Sequence, residues 1–239
     1  AAGAMVLNEA DAVTLAALDT FDGNITVVTG GSAEIGTINA GLGTDDVSLT
    51  VTGSVTDADD NSLITVDQLT IAATGSIGAA AGLAINTTAT EYQSVTAGGS
   101  IWLNETNGVV ATNVVAANGL IDLKTAGDTV LTNVVSTTDA DANDVTVVAS
   151  AGNITVGVVN LAGATLGDVT LTATLGSIND LTANPDVVTD IYGDVVTLTA
   201  ATGVGSAADI DTAANTLDVS VTAAGAMVLN EADAVTLAA

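Results

Sequence analysis

A short motif that recurs along the chain is the feature that most limits how this sequence can fold. Each copy is an apolar/polar alternating run close to V-[TS]-[LV]-x-A, and a glycine follows it. The nine runs begin at Ile25, Val47, Leu69, Ser94, Ile121, Val145, Val169, Val196 and Val219, and their glycines are Gly31, Gly53, Gly75, Gly99, Gly127, Gly152, Gly176, Gly203 and Gly225. Nine units in 222 residues give about 25 residues each, which is a period typical of solenoids.

Each unit has room for three short strands. The first is the motif itself, the second follows the glycine, as in SIWL from Ser100, and the third is a later apolar run such as SLITV from Ser62. Apolar residues recur with period two rather than 3.6, and turn-forming Gly, Asn and Asp separate the runs. We therefore predict an all-β fold, a parallel β-helix of about nine coils. Stacked at about 4.8 Å, the nine coils would rise about 43 Å.

The alternation also separates the inside of this β-helix from its outside. In the run from Val169, Val169 and Leu171 point one way, while Thr170 and Thr172 point the other. Stacking the runs predicts apolar inner columns and one polar outer column. That outer column is Thr26, Ser48, Thr70, Ser94, Asp122, Thr146, Thr170, Thr197 and Ser220. The aligned glycines mark either a sharp corner or a close approach of neighbouring backbones.

A second repeat is literal: residues 1–17 and residues 223–239 have the same sequence, AAGAMVLNEADAVTLAA. Chance does not produce seventeen consecutive identities between two such distant parts of one chain. We therefore predict that residues 1–239 are one continuous solenoid segment, a window on a tandem array with a 222-residue repeat. Its partners would be the adjacent repeats, end to end, and other shafts packed laterally into fibres.

The composition suits a thin body and excludes several partners. Aromatic residues make up 2% of the chain, so a wide core would lack its usual large side chains. The formal net charge is -27 and the one basic residue is Lys124, which excludes ordinary nucleic-acid binding and argues against an anionic membrane surface. The sequence has no apolar run of about 18 residues, so we expect no membrane insertion in this segment.

The segments GDVTLTATLGSI from Gly167 and GDVVTLTAATGVG from Gly193 resemble the repeats of filamentous-haemagglutinin-like adhesins and giant repetitive bacterial surface proteins. The resemblance covers the whole chain, and its motifs are low in complexity. It implies a right-handed parallel β-helix, an extracellular location at the cell surface, and a role as the shaft of a filament or adhesin stalk. It transfers no catalytic or binding residue.

Two acidic turns are the candidate metal sites, since Ca²⁺ takes six to eight oxygen ligands. The first is DADDN, with Asp57, Asp59, Asp60 and Asn61; the second is DADAND, with Asp139, Asp141, Asn143 and Asp144. Neither completes an EF-hand loop or a β-roll nonapeptide. The competing interpretation is a solvated turn, because Asp and Asn favour turns without any metal. We expect no required cofactor, with calcium as the candidate ligand of these turns.

Other functions have weaker support in the sequence. A flat face of threonines resembles the ice-binding surface of some antifreeze β-helices, and a shaft can also bind glycans; together these form the alternative to a structural role. Thr is, however, a good strand residue for any outward face, and Asp122 and Lys124 interrupt the array. Polysaccharide lyases of this fold class need Lys or Arg, of which only Lys124 exists. We therefore expect that the chain is not an enzyme.

Overall fold

A computed structural model describes residues 3–20, 22–80, 82–182 and 188–238. The fold is all-β, a right-handed parallel β-helix, and no helix occurs in these four ranges. Its first twelve strands are β1 Met5–Glu9, β2 Val13–Asp19, β3 Ile25–Thr29, β4 Ala33–Asn39, β5 Asp46–Val51, β6 Val55–Thr56, β7 Leu63–Ala73, β8 Ile85–Ala97, β9 Ile101–Glu105, β10 Val109–Ala111, β11 Val114–Ala116 and β12 Ile121–Thr125. The others are β13 Thr129–Leu131, β14 Val134–Ser136, β15 Val145–Ala149, β16 Ile154–Val156, β17 Val159–Leu161, β18 Val169–Ala173, β19 Ile178–Asp180, β20 Ile191–Ala200, β21 Ile210–Val221, β22 Leu229–Glu231 and β23 Thr236–Leu237.

The stacking of the coils is visible as a column of inward residues that runs through the described chain. The column is Val13, Ala33, Val55, Ile77, Ile101, Ile121, Val145, Val169, Val196, Leu217 and Leu237. The coils differ in length: the step from Val13 to Ala33 is among the shortest, and the step from Val169 to Val196 is the longest. The fold class is therefore confirmed, with ten coils between the two ends of the column.

The coil count corrects the expected nine, and the reason is one misassigned strand. The sequence predicts that the run from Ile101 is the second strand of a unit, but β9 pairs in register with β12, so that Trp102 stacks on Asp122. β9 to β11 thus form a coil of their own. With ten coils at about 4.8 Å each, one repeat rises about 48 Å rather than 43 Å.

The single polar outer column is also divided. Thr26, Ser48, Thr70 and Ser94 stack on one sheet. Asp122, Thr146, Thr170 and Thr197 stack on another, and Ser220 pairs with Thr199 rather than with Thr197. The similar sequence motifs therefore lie on two different faces. A motif match cannot distinguish these faces, because each presents the same alternation to the core.

The inside–outside assignment holds. Val169 and Leu171 are fully buried, whereas Thr170 and Thr172 are half-buried on the outer side. The core is narrow and consists almost entirely of Val, Ile, Leu and Ala, as the low aromatic content requires. The described residues contain no helix that is long and apolar enough to cross a membrane.

The glycine column marks close approach between coils. At all nine motif glycines, an added Cβ would lie within 2.8 Å of another atom, and most of these atoms belong to the preceding coil. At Gly176, for example, it would lie 2.2 Å from the carbonyl oxygen of Gly152. A positive φ is an additional requirement only at Gly53 (143°) and Gly203 (141°). Close packing against neighbouring atoms, backbone at most positions and a serine hydroxyl at Gly99, is therefore the general reason for these glycines.

Candidate functional sites: the acidic turns and a buried glutamate

The first acidic turn is organised around Asp57, which points inward. This residue is 2% exposed, and its Oδ1 accepts a hydrogen bond from the Asn61 N–H at 3.1 Å while its Oδ2 accepts one from the Ser62 N–H at 3.0 Å. Burial alone would raise the pKa of the Asp57 carboxyl, but these hydrogen bonds, led by those from Ser62, hold it below its usual value. Asp57 is thus the internal cap of its own turn.

The other three predicted ligands of this turn are exposed. The Asn61 amide donates to Asp59 Oδ2 at 2.7 Å, and Asp60 adopts a positive φ of 56°. Asp59 and Asn61 therefore lie side by side on the surface, while the carboxylate of Asp57 is directed away from them into the turn. The turn brings two of its four oxygen-bearing side chains together.

The second acidic turn distributes its polar groups between neighbouring coils. Asp139 Oδ1 accepts from the Leu166 N–H at 3.1 Å, and its Oδ2 accepts from the Thr165 hydroxyl, which holds the pKa of Asp139 below its usual value. Asn143 is buried, and its amide donates backwards to Asn118 Oδ1 at 3.0 Å.

The remaining two acids of this turn also diverge. Asp144 Oδ1 accepts from the Asp168 N–H of the next coil at 3.0 Å, whereas Asp141 is exposed. Two side chains thus reach the following coil, one reaches the preceding coil, and one faces solvent. Within the described ranges, no group of three or more acidic side chains is arranged to hold a metal ion. Calcium binding at either turn stays a prediction.

Stacking nevertheless places like charges close together at two points on the surface. Burial raises the pKa of Asp168, and the charges of Asp144, Asp194 and Asp141 raise it further, against a hydrogen bond from the Val195 N–H. At the other point, burial and the charges of Asp67 and Asp45 raise the pKa of Asp46. Neutralising these carboxylates, by protons or by cations, is therefore favourable for the folded state.

Near Asp19, Asp22 and Asn24, polar side chains form hydrogen bonds with residues of the next coil. The Asn39 amide donates to Asp19 Oδ1 at 3.2 Å, and Asn24 Oδ1 accepts from the Asp46 N–H at 3.0 Å. These contacts join successive coils in the same way as the longer ladder described next.

A ladder of four serines ties five consecutive coils together. The hydroxyl oxygen of Ser32 accepts from the Ser54 N–H at 3.1 Å, and Ser54, Ser76 and Ser100 repeat this contact at 3.2 Å each, the last with the Leu120 N–H. Each hydroxyl oxygen satisfies a backbone N–H of the following coil. The Gly-Ser pairs of the sequence thus serve axial cohesion.

Glu105 is a buried carboxylate that sequence reasoning did not select. It is 4% exposed, and its Oε2 accepts from the Thr87 hydroxyl at 2.7 Å, the Ala89 N–H at 3.0 Å and the Tyr92 hydroxyl at 3.1 Å. Its Oε1 accepts from the Asn107 N–H at 3.2 Å. The alternation could have revealed it, because Glu105 has the same parity in its strand as the inward residues that precede it.

The environment of Glu105 indicates a structural role. Burial raises its pKa even though every neighbour donates to it, and burial with the adjacent carboxylate raises the pKa of Tyr92 well above its usual value. Thr87 and Tyr92 are also hydrogen-bonded to each other, at 2.5 Å, and both are fully buried. The site is therefore a closed polar cluster in an apolar core, with its acceptor oxygens occupied by the protein itself.

The outer faces offer short, interrupted arrays. The threonine stack on the second sheet begins at Asp122, whose carboxylate pairs with Lys124 at 3.1 Å. Because the polar motifs are divided between two sheets, a regular face of like residues extends over only a few coils.

Comparisons of this chain with protein-family models, with curated proteins and with solved structures found no match.

Proposed function

We propose that this chain is a structural repeat of an extracellular bacterial filament or adhesin stalk, in which solenoid segments follow one another to form a shaft at the cell surface. The observation that carries the proposal is the pairing of the 17-residue identity with the register of the coils. The inner column that begins at Val13 reaches Leu237 after ten coils. In the repeated segment, however, the residue that corresponds to Val13 is Val235, so the column and the sequence repeat differ by two positions.

This difference of two positions supports a continuous array. A side chain in a strand changes face with every residue, so an odd difference would turn the inward residues of the next repeat outward. An even difference keeps them inward: Leu237 corresponds in sequence to Leu15, which is itself an inward residue, 2% exposed. A second column, from Leu7 to Glu231, has the same offset, because Leu7 corresponds to Leu229. Repeats can therefore be joined without breaking the core.

The positions and hydrogen bonds of the carboxylates fit a structural spacer rather than a catalytic site. Asp57 and Glu105 are buried carboxylates whose hydrogen-bond donors all come from their own chain. The acidic surface keeps a long polymer soluble. Cell-surface location follows from the family resemblance, and we propose it together with the shaft role.

Electron microscopy of the native material tests the proposal. We expect a thin, unbranched fibre with an axial repeat of about 48 Å, given ten coils at about 4.8 Å each. Antibody against the chain should label intact cells as strongly as permeabilised cells. Compact particles, or labelling that requires permeabilisation, would contradict the proposal.

A further inference from the structure

The 17-residue segment occurs once near each end of this chain. The first copy packs against the coil that follows it, and the second copy packs against the coil that precedes it. In the first copy the following coil lies against it, so that Leu15 pairs with Ile35 and is 2% exposed. In the second copy only the preceding coil is present, so that Leu237 pairs with Leu217 and is 72% exposed. One segment thus displays both of its contact surfaces, one at each end of the solenoid.

The buried Glu105 shows what a completed site of this kind contains. Thr87 of the coil before and Thr125 of the coil after are its register partners. From the preceding coil, Glu105 Oε2 accepts the Thr87 hydroxyl and the Ala89 N–H. From its own coil, Oε1 accepts the N–H of Asn107, two residues further on.

Glu231 has the upstream half of these contacts. Its register partner is Thr212, whose hydroxyl donates to Glu231 Oε2 at 2.7 Å. Oε1 of Glu231 accepts from the Ala214 N–H at 3.2 Å. Ala214 is two residues after Thr212, as Ala89 is two residues after Thr87.

Glu9, which corresponds to Glu231 in the repeated segment, has the downstream half. Its Oε1 accepts from the N–H of Asp11, two residues further on, at 3.4 Å. The Gly31 N–H of the next coil donates to the Asp11 carbonyl at 3.1 Å, as the Gly127 N–H donates to the Asn107 carbonyl at 3.0 Å. The register partner of Glu9 is a threonine of the next coil, as it is for Glu105.

We infer that the last coil of one repeat packs against the first coil of the next repeat. Each such junction would bury the glutamate that appears here as Glu9 and as Glu231, in a site built like that of Glu105. The partner is the adjacent repeat, so the inference rests on the proposed function. The junction column would read Thr212, the shared glutamate, then Thr29. One donor differs, because Leu217 stands where the Glu105 site has Tyr92.

Because this glutamate lies in the interior, it would determine which coil of one repeat stacks on which coil of the next. A carboxylate inside an apolar core is costly unless donors surround it. At Glu105 the Thr-x-Ala run of the preceding coil supplies two of those donors, and the glutamate's own coil supplies the N–H two residues further on. Shifting the joined repeat by one coil would instead place the carboxylate against apolar residues. The glutamate would thus fix which coil of the next repeat follows.

A chain of two repeats, residues 1–222 followed by residues 1–239, tests this inference by thermal melting. Its junction glutamate is Glu9 of the second copy, and Glu9 of the first copy is the matched control with identical sequence around it. We expect Glu9→Ala at the junction to lower Tm, by fewer degrees than Glu105→Ala in the same chain, because Glu105→Ala also leaves the buried Tyr92 hydroxyl without its carboxylate acceptor. The same substitution in the first copy should lower Tm far less.

A second variant keeps the test decisive if the alanine chain does not fold. Thr212→Val in the first copy removes one donor to the junction glutamate at nearly constant volume, and Thr212→Val in the second copy is its control. Junction effects no larger than the terminal ones, for both substitutions, would overturn the inference. Failure of the shaft proposal has a different signature: the unsubstituted two-repeat chain would melt in two separate transitions, and its particles would not double in length.

Discussion

Placing a carboxylate at position 169 is the sharpest test of the inside–outside assignment. Val169 is fully buried between Val145 and Val196 in the coils on either side, so Val169→Asp removes an apolar side chain worth about 1.5–3 kcal/mol of burial. An aspartate that stays neutral there at pH 7 needs a pKa about three units above its ordinary 3.9, which costs about 4 kcal/mol. The sum, about 5.5–7 kcal/mol, is comparable to the whole stability of a domain.

The neighbouring residue provides the control. Thr170 is half-buried, faces outward and stacks between Thr146 and Thr197, so Thr170→Asp places the same side chain where water can solvate its charge. We expect a cost under about 1 kcal/mol, as for most surface substitutions. Thermal melts followed by circular dichroism at pH 7 should therefore show a large fall in Tm for Val169→Asp and a small one for Thr170→Asp.

Lowering the pH adds a second readout. The buried carboxyl of Val169→Asp has a raised folded-state pKa, so its ionisation cost is absent below the unfolded pKa and grows as pH rises through the folded value. The gap in Tm between the two variants should therefore narrow as pH falls from 7 towards 4. Equal melts at pH 7, or a gap that widens at low pH, would refute the assignment.

Three further predictions concern the backbone, the buried carboxylate and the acidic turns. Gly98→Ala should lower Tm strongly, because its Cβ would lie 2.1 Å from a carbonyl oxygen of the preceding coil, whereas Gly43→Ala, with nothing within 4 Å, should not; equal melts would contradict the close-approach explanation. Burial raises the pKa of the Glu105 carboxyl, so the contribution of Glu105 to the free energy of unfolding is greatest below the pKa of an ordinary glutamate and falls as pH rises through the pKa of the folded state. The difference in Tm between wild type and Glu105→Ala should therefore grow as the pH is lowered from 7 to 4. Millimolar calcium should raise Tm above that in sodium chloride of equal ionic strength, and Asp57→Ala with Asp59→Ala should abolish this difference; if sodium restores all the stability, charge screening is the cause. Because the Asp57 carboxylate accepts hydrogen bonds from its own turn, the double variant should also melt lower without calcium.

Local sequence determined the fold class and the direction of the side chains. The period-two alternation around Val169 and Leu171 allows only strands, and the small aliphatic residues at those positions fit only a narrow core. The glycines at a fixed place after each run marked either a sharp corner or a close approach of coils, and the structure shows the close approach. All of these properties belong to a residue and its immediate neighbours, which is why a single sequence reveals them.

The tertiary structure alone decided the register. The runs from Ser94 and Ile121 have the same motif, yet they lie on different sheets, and the strand from Ile101 forms a tenth coil between them. Pairing partners lie a whole coil apart in the sequence, and a degenerate motif matches several of them equally well. The count of coils and the division of the outer column therefore depended on which backbones actually pair.

The buried polar groups likewise depend partly on local sequence and partly on the tertiary structure. Parity in the strand was enough to place Glu105 on the inner side, but its burial is stable only because Thr87 and Tyr92 of the coil before it supply donors. Likewise the letters DADDN indicated a turn, while the inward direction of Asp57 came from the backbone N–H groups that close around its carboxylate. A sequence states which side chains can ionise; the stacking of distant coils decides which of them are surrounded by donors and which face water.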